Sequence, residues 1–173
     1  MSMLLDLSRF RGGVDRVERT DPPEVFGLEQ EEFRLVAPVE FSADVRKDAE
    51  KVRLVGRVKT ALQVACSRCL EPFTVPVDAP FDLLFLPAEH EAEAAEREIE
   101  DDDVGVSHYR DDVIDLGEVM REQFFLALPM KPLCQDDCRG LCPVCGINRN
   151  TGTCTCEATW VDPRMAPLSK FRR

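Results

Sequence analysis

From Val39 the chain alternates. Val39, Phe41, Ala43 and Val45 share one face, while Glu40, Ser42, Asp44 and Arg46 share the other, which is the period of a half-buried strand. The polar run Lys47-Asp48-Ala49-Glu50 predicts a turn. Beyond it Val52, Leu54, Gly56, Val58, Thr60, Leu62, Val64 and Cys66 take one face, and Arg53, Arg57, Lys59 and Gln63 take most of the other. A second turn at Cys66-Ser67-Arg68-Cys69 leads into Phe73, Val75, Val77, Ala79, Phe81, Leu83 and Phe85, again at every second residue. Pro76 and Pro80 fall on the opposite face of that strand. Each lacks a backbone donor, which predicts an edge or a bulge there. Long antiparallel strands with one apolar face need a cover.

The cover is predicted further along. Val104 to Tyr109 suits a short strand, and Asp115 then opens a helix with Glu118 three residues on, a variant of the capping box. Leu116, Val119, Met120, Phe124, Ala127 and Leu128 recur at helical spacing until Pro129 stops them. Residues 1–34 show only weak periodicity: Thr20-Asp21-Pro22-Pro23 and Gly27 mark loops, and Phe26, Leu28 and Phe33 are isolated apolar anchors. The stretch AEHEAEAAEREIEDDD, residues 88–103, has no apolar face of usable width. It is expected to be a solvated linker or frayed acidic helix, with a partner-facing acidic patch as the alternative. The expected fold class is α+β: a curled antiparallel β-meander covered by one main helix, with a zinc-ordered, cysteine-rich C-terminal tail. The expected divisions are an N-terminal segment 1–34, a sheet-plus-helix core 35–130 with the acidic linker 88–103, and a zinc-binding tail 131–173.

Composition agrees with this and removes some classes. A chain of 173 residues with 44% hydrophobic side chains can bury a core. It has no apolar run of about 18 residues, so no membrane helix is expected. The opening MSMLLDLSRFRGG lacks the apolar centre of a secretory signal, which predicts a cytoplasmic protein. The net charge of −11 is unevenly spread: −3 over residues 1–87, −11 over 88–122 and +3 over 123–173. The total disfavours wholesale wrapping of nucleic acid, but the basic end leaves a local phosphate contact open.

Eight cysteines are the main chemical signal. They fall as Cys66-x2-Cys69, Cys134-x3-Cys138, Cys142-x2-Cys145 and Cys154-x-Cys156. In a reducing compartment such pairs favour metal over disulfides. Cys142-Pro143-Val144-Cys145-Gly146 has the form of a zinc knuckle, in which two thiolates face one ion and Gly146 permits a positive φ. Zinc is therefore the expected cofactor, with Cys142 and Cys145 as the firmest ligands. Their partners are either Cys154 and Cys156 or Cys134 and Cys138, and spacing leaves both open. Cys66 and Cys69 are read as a second metal half-site, as a tight turn, as partners of Cys142 and Cys145, or as a redox dithiol. The redox reading lacks the helix N-terminus that usually lowers a thiol pKa. All-cysteine ligation leaves no position for a reacting water, so a structural role is expected and no catalytic residue is assigned.

These residues resemble a known family. Cys66-Ser67-Arg68-Cys69-Leu70-Glu71-Pro72-Phe73 is similar to the C-x-R-C-L-x-P-F signature of the YceD-like proteins, implicated in accumulation of large-subunit ribosomal RNA. So are Asp115-Leu116-Gly117-Glu118, the run from Arg121-Glu122-Gln123 to Leu128-Pro129-Met130, and the block Cys134 to Cys156 around Gly140-Leu141-Cys142-Pro143-Val144-Cys145-Gly146. The resemblance covers roughly residues 35–156. One departure is Arg149, where the family pattern between Asn148 and Asn150 has Leu.

The resemblance implies a bacterial cytoplasmic factor in large-subunit ribosome biogenesis, also represented in chloroplasts. Its gene often neighbours that of a small basic ribosomal protein. Some relatives lack the C-terminal cysteines, so zinc would stabilise an elaboration. The expected partners are ribosomal RNA of the large subunit or a small basic ribosomal protein, with no membrane and no small-molecule substrate. Arg139, Arg149, Lys170, Arg172 and Arg173 are the candidate RNA contacts. The competing expectation is a thiol redox protein using Cys66 and Cys69. A DNA-reading tail is disfavoured because no recognition helix follows the knuckles.

Overall fold

A computed structural model describes residues 3–10, 13–26, 33–88, 106–157 and 164. Residues 89–103 of the acidic segment, and Lys170, Arg172 and Arg173, lie outside these described residues. The strands are β1 (Leu4–Asp6), β2 (Gly13–Asp21), β3 (Arg34–Leu35), β4 (Val39–Asp48), β5 (Lys51–Ala65), β6 (Pro72–Pro87), β7 (Val106–Tyr109) and β8 (Val113–Asp115). One α-helix, α1 (Leu116–Ala127), follows among the described residues.

The strongly alternating segments form the centre of a six-stranded sheet. β4 turns into β5 through Ala49 at φ +52°, and the pair runs antiparallel with Val45 opposite Leu54 and Phe41 opposite Val58. β5 and β6 pair along almost their whole length, from Val52 opposite Phe85 to Ala65 opposite Pro72. β7 pairs only with Leu84–Pro87, so no described strand covers the outer edge of β6 along Pro76 and Pro80. That edge is where a residue without an N–H costs nothing.

The expected curled antiparallel meander is corrected by this topology. β7 lies parallel to β6. β2 joins β4, while β3 joins β5 beyond the end of β4. β1 and β8 form a separate two-stranded sheet. Parallel neighbours need a connecting segment of about a dozen residues or more, and the chain between β6 and β7 is long enough to supply it. β2 escapes a period-based reading because Asp15, Arg16, Glu18, Arg19 and Asp21 place charge on both of its faces. It is held by backbone pairing to β4 from Gly13 opposite Lys47 to Asp21 opposite Val39. The buried Asp21 carboxylate accepts the Arg19 guanidinium, Nη2 to Oδ1 at 2.7 Å, so its charge is not left unpaired.

The helix forms as its cap predicts. Asp115 Oδ1 accepts the N–H groups of Gly117 at 2.8 Å and Glu118 at 3.3 Å. Leu116, Val119, Met120 and Phe124 are buried against the core. Phe124 meets the rings of Phe26 and Phe33 edge-to-face, with centroids 5.8 and 6.2 Å apart, which brings the N-terminal anchors into the same core. Phe41 and Phe81 stack at 5.6 Å beside Gly56. A Cβ on Gly56 would strike the Ser42 carbonyl oxygen and stand 2.8 Å from Ala43 Cα, so glycine is required where β4 crowds β5. No helix among the described residues is long and apolar enough to cross a membrane. At the far tip of the β5–β6 hairpin a second, smaller cluster begins: Cys66, Cys69 and Cys138, packed by Phe73 and Leu133.

Candidate metal centres

Two turns in this chain are built alike. At the hairpin tip, Cys66 N–H donates to Glu71 O at 2.9 Å and Leu70 N–H donates to Cys66 O at 2.9 Å. At the second turn, Cys142 N–H donates to Ile147 O at 2.8 Å and Gly146 N–H to Cys142 O at 2.9 Å. Each turn places a left-handed residue directly after its second cysteine: Leu70 at φ +62° and Gly146 at φ +73°. The glycine made the second knuckle legible. The first hides behind a leucine, and its remaining signal was the shared Cys-x2-Cys spacing.

The structure gathers all eight cysteines into two sets of four, Cys66, Cys69, Cys134 and Cys138, then Cys142, Cys145, Cys154 and Cys156. Within each set the sulfurs lie within 4.8 Å of one another. Cys66 Sγ is 3.7 Å from Cys138 Sγ, and Cys69 Sγ is 3.7 Å from Cys134 Sγ. Sulfurs placed tetrahedrally around zinc at about 2.3 Å stand about 3.8 Å apart. Both the donor set and this spacing fit a metal ion, so each set could hold one. The hairpin pair joins Cys134 and Cys138 instead of Cys142 and Cys145, and Cys154 and Cys156 complete the second knuckle. The first set is mostly buried, whereas in the second only Cys142 is buried.

The sulfurs are electrostatically unequal. Burial raises the Cys66 thiol, but N–H groups of Cys69, Cys134 and Arg68 outweigh it and bring it down to about 6. The N–H groups of Cys145 and Val144 likewise bring Cys142 down to about 6. Burial, then the neighbouring Cys69 and Cys138, pushes Cys134 up to about 12. Cys145, then burial, pushes Cys156 up to about 12. In each set one thiol ionises readily while another resists joining the negative charge around it. A bound cation removes that resistance.

The two sets are also tied to each other. After α1, the chain docks on the hairpin tip through Ser67 N–H to Pro132 O at 2.8 Å and Leu141 N–H to Arg68 O at 3.0 Å. The Arg68 guanidinium donates to Cys138 O at 2.8 Å and Asp136 O at 3.4 Å, so this exposed residue also clamps backbone. Gly140 at φ +68° lies against Arg68, where a Cβ would come within 2.9 Å of its carbonyl oxygen. Asn150 Nδ2 donates to Cys138 Sγ at 3.2 Å, the largest influence holding that thiol below its ordinary value. Neither Arg68 nor Asn150 was assigned these contacts from sequence, since each partner lies in another turn. Arg139 and Arg149 are exposed in the cysteine block.

The family described as large ribosomal RNA subunit accumulation protein YceD matches residues 54–172. The chain belongs to the YceD family. The match begins in β5 and takes in both cysteine sets. A Zea mays protein named large ribosomal RNA subunit accumulation protein YCED homolog 1, chloroplastic, is 32% identical over 143 residues, covering 69% of this chain and 49% of its own length. An Arabidopsis thaliana protein of the same name is 28% identical over 156 residues, covering 78% of this chain and 49% of its own. An uncharacterized Mycobacterium tuberculosis protein is 32% identical over 125 residues, covering 72% of this chain and 58% of its own. The chain thus spans about half the length of the two plant relatives. No solved structure matches it significantly.

The YceD names tie this family to accumulation of large-subunit ribosomal RNA. They point to a ribosome-related accumulation factor.

Proposed function

We propose that this YceD-family chain is a cytoplasmic, bacterial, non-enzymatic factor in large-subunit ribosome biogenesis. It promotes ribosomal RNA accumulation by binding pre-ribosomal RNA or a basic ribosomal protein. The observation that carries this reading is the family match across both cysteine sets. Four thiolates close the coordination of zinc and leave no position for substrate or water. Zinc bound by Cys66, Cys69, Cys134 and Cys138, and by Cys142, Cys145, Cys154 and Cys156, therefore orders the turns that carry these cysteines and performs no reaction. The same closure argues against the redox use of Cys66 and Cys69, as does the strand, not helix, on either side of them.

The partner chemistry divides along the chain. The acidic segment 88–103 offers complementary charge to a basic ribosomal protein. Arg139 and Arg149, with Lys170, Arg172 and Arg173, offer contacts to phosphate. The experiment is affinity purification from growing cells, with identification of bound RNA and protein. Recovery of pre-ribosomal particles is expected, and any direct RNA binding weakens as salt rises. Recovery of neither ribosomal RNA nor ribosomal protein would refute the proposal.

A further inference from the structure

We propose that Asn150, carried by the loop of the second cysteine set, is a positioning residue for the metal of the first, so that loading of the two sites is coupled. This rests on the metal reading above. Asn150 belongs to the loop between Cys145 and Cys154, yet its side chain is used entirely outside that loop. Its Nδ2 donates to Cys138 Sγ at 3.2 Å, and its Oδ1 accepts Arg139 N–H at 2.8 Å. Both ends of the amide are therefore held on the turn that carries a ligand of the buried set.

The loop is in turn braced so that the amide stays aimed. Asn148 Oδ1 accepts Asn150 N–H at 3.0 Å, and Asn148 O accepts Gly152 N–H at 2.9 Å. Asn148 Nδ2 reaches Glu71 Oε1 on the hairpin at 3.5 Å, and Arg149 N–H donates to Gly140 O at 2.9 Å. The loop closes between Cys145 and Cys154, both ligands of the second set. A metal there shortens the freedom of the loop and keeps Asn150 against Cys138. An N–H donor on a thiolate stabilises its negative charge and fixes the direction of its lone pairs. Because the coupling is an equilibrium property, each metal raises the affinity for the other by the same factor.

The test uses the full-length chain loaded with zinc or cobalt(II). Native mass spectrometry counts bound metal, and transfer to a chelator gives two release phases, the slower from the mostly buried set. Asn150→Ala is expected to speed the slower phase about 10- to 100-fold, the usual range for removing a partner of a metal ligand. Asn150→Asp keeps the acceptor for Arg139 N–H but turns a negative oxygen toward sulfur, so it is expected to release at least as fast. Cobalt supplies a signature that loosened packing alone does not give. Losing the N–H donor raises the energy of the sulfur electrons and moves the sulfur-to-cobalt charge-transfer band to longer wavelength. Emptying the second set with Cys154→Ser and Cys156→Ser is expected to speed release from the first, with little further effect of Asn150→Ala in that background. Native release and an unmoved cobalt band in Asn150→Ala, or effects that multiply independently, would overturn the coupling. A chain that binds no metal, or one ion only, would instead overturn the metal reading itself.

Discussion

Replacing Gly140 by alanine probes how the cysteine-rich segment is held on the hairpin. Gly140 has φ +68°, and an added Cβ would stand 2.9 Å from Arg68 O and 3.3 Å from Arg68 Cβ. The left-handed backbone by itself costs an L-residue about 1–2 kcal/mol. The crowding also forces apart Leu141 N–H and Arg68 O, now bonded at 3.0 Å, for about 1 kcal/mol more. The sum of about 2–3 kcal/mol corresponds to about 30- to 150-fold in the docked-to-undocked equilibrium. Gly146→Ala is the matched control: its φ is +73°, but an added Cβ meets nothing within 4 Å. It should lose about 1–2 kcal/mol from backbone strain alone, and only at its own knuckle.

Hydrogen exchange on the metal-saturated chain reads the difference. The Ser67 and Leu141 amides bond across the docking seam, to Pro132 O and Arg68 O. Their protection should fall by that factor in Gly140→Ala while amides of the β4–β5 pair are unchanged. In Gly146→Ala both seam amides should keep their protection. Native protection of Ser67 and Leu141 in Gly140→Ala, or equal loss in Gly146→Ala, would refute the docking account.

Three further outcomes are expected. Phe124→Ala should cost about 3–5 kcal/mol in urea unfolding followed by circular dichroism, since Phe124 is fully buried between Phe26 and Phe33. A double-mutant cycle with Phe26→Leu should return about 0.5–1.5 kcal/mol of coupling, and a zero result would detach the N-terminal anchors from this core. Asp115→Ala removes the acceptor for Gly117 and Glu118 N–H and should cost about 0.5–2 kcal/mol in the same assay. Chelation should strip protection from Ser67 and Leu141 but leave α1 and the β4–β5 amides protected. Falling pH should release metal in the same way, because protons compete for the thiolates and only the deprotonated sulfurs bind; metal content that is flat from neutral to acid pH would contradict ligation by cysteine.

Legibility followed the range of the interactions. β4, β5 and β6 were readable because each buries one face, so the two-residue period is written into Val39 to Val45, Val52 to Cys66 and Phe73 to Phe85. The helix was readable because its cap and its buried stripe are local. β2 was not, since a charged edge strand is held by backbone pairing to β4 and needs no apolar period. The parallel placement of β7 is likewise a choice of neighbour that four residues cannot encode.

The candidate site divides along the same line. Spacing within each cysteine pair, and the positive φ that Gly146 allows, are properties of a few adjacent residues, so the sequence by itself determined that this chain carries paired thiols able to serve as half of a metal site. Which halves combine was decided only by the tertiary structure. Cys66 and Cys138 are 72 positions apart, and Cys69 and Cys134 are 65 apart. Their meeting depends on the length of the β5–β6 hairpin and on where α1 releases the chain. Half of a tetrahedron specifies the angle at which its partners must arrive. Only the packed sheet and helix determine which sulfurs arrive there.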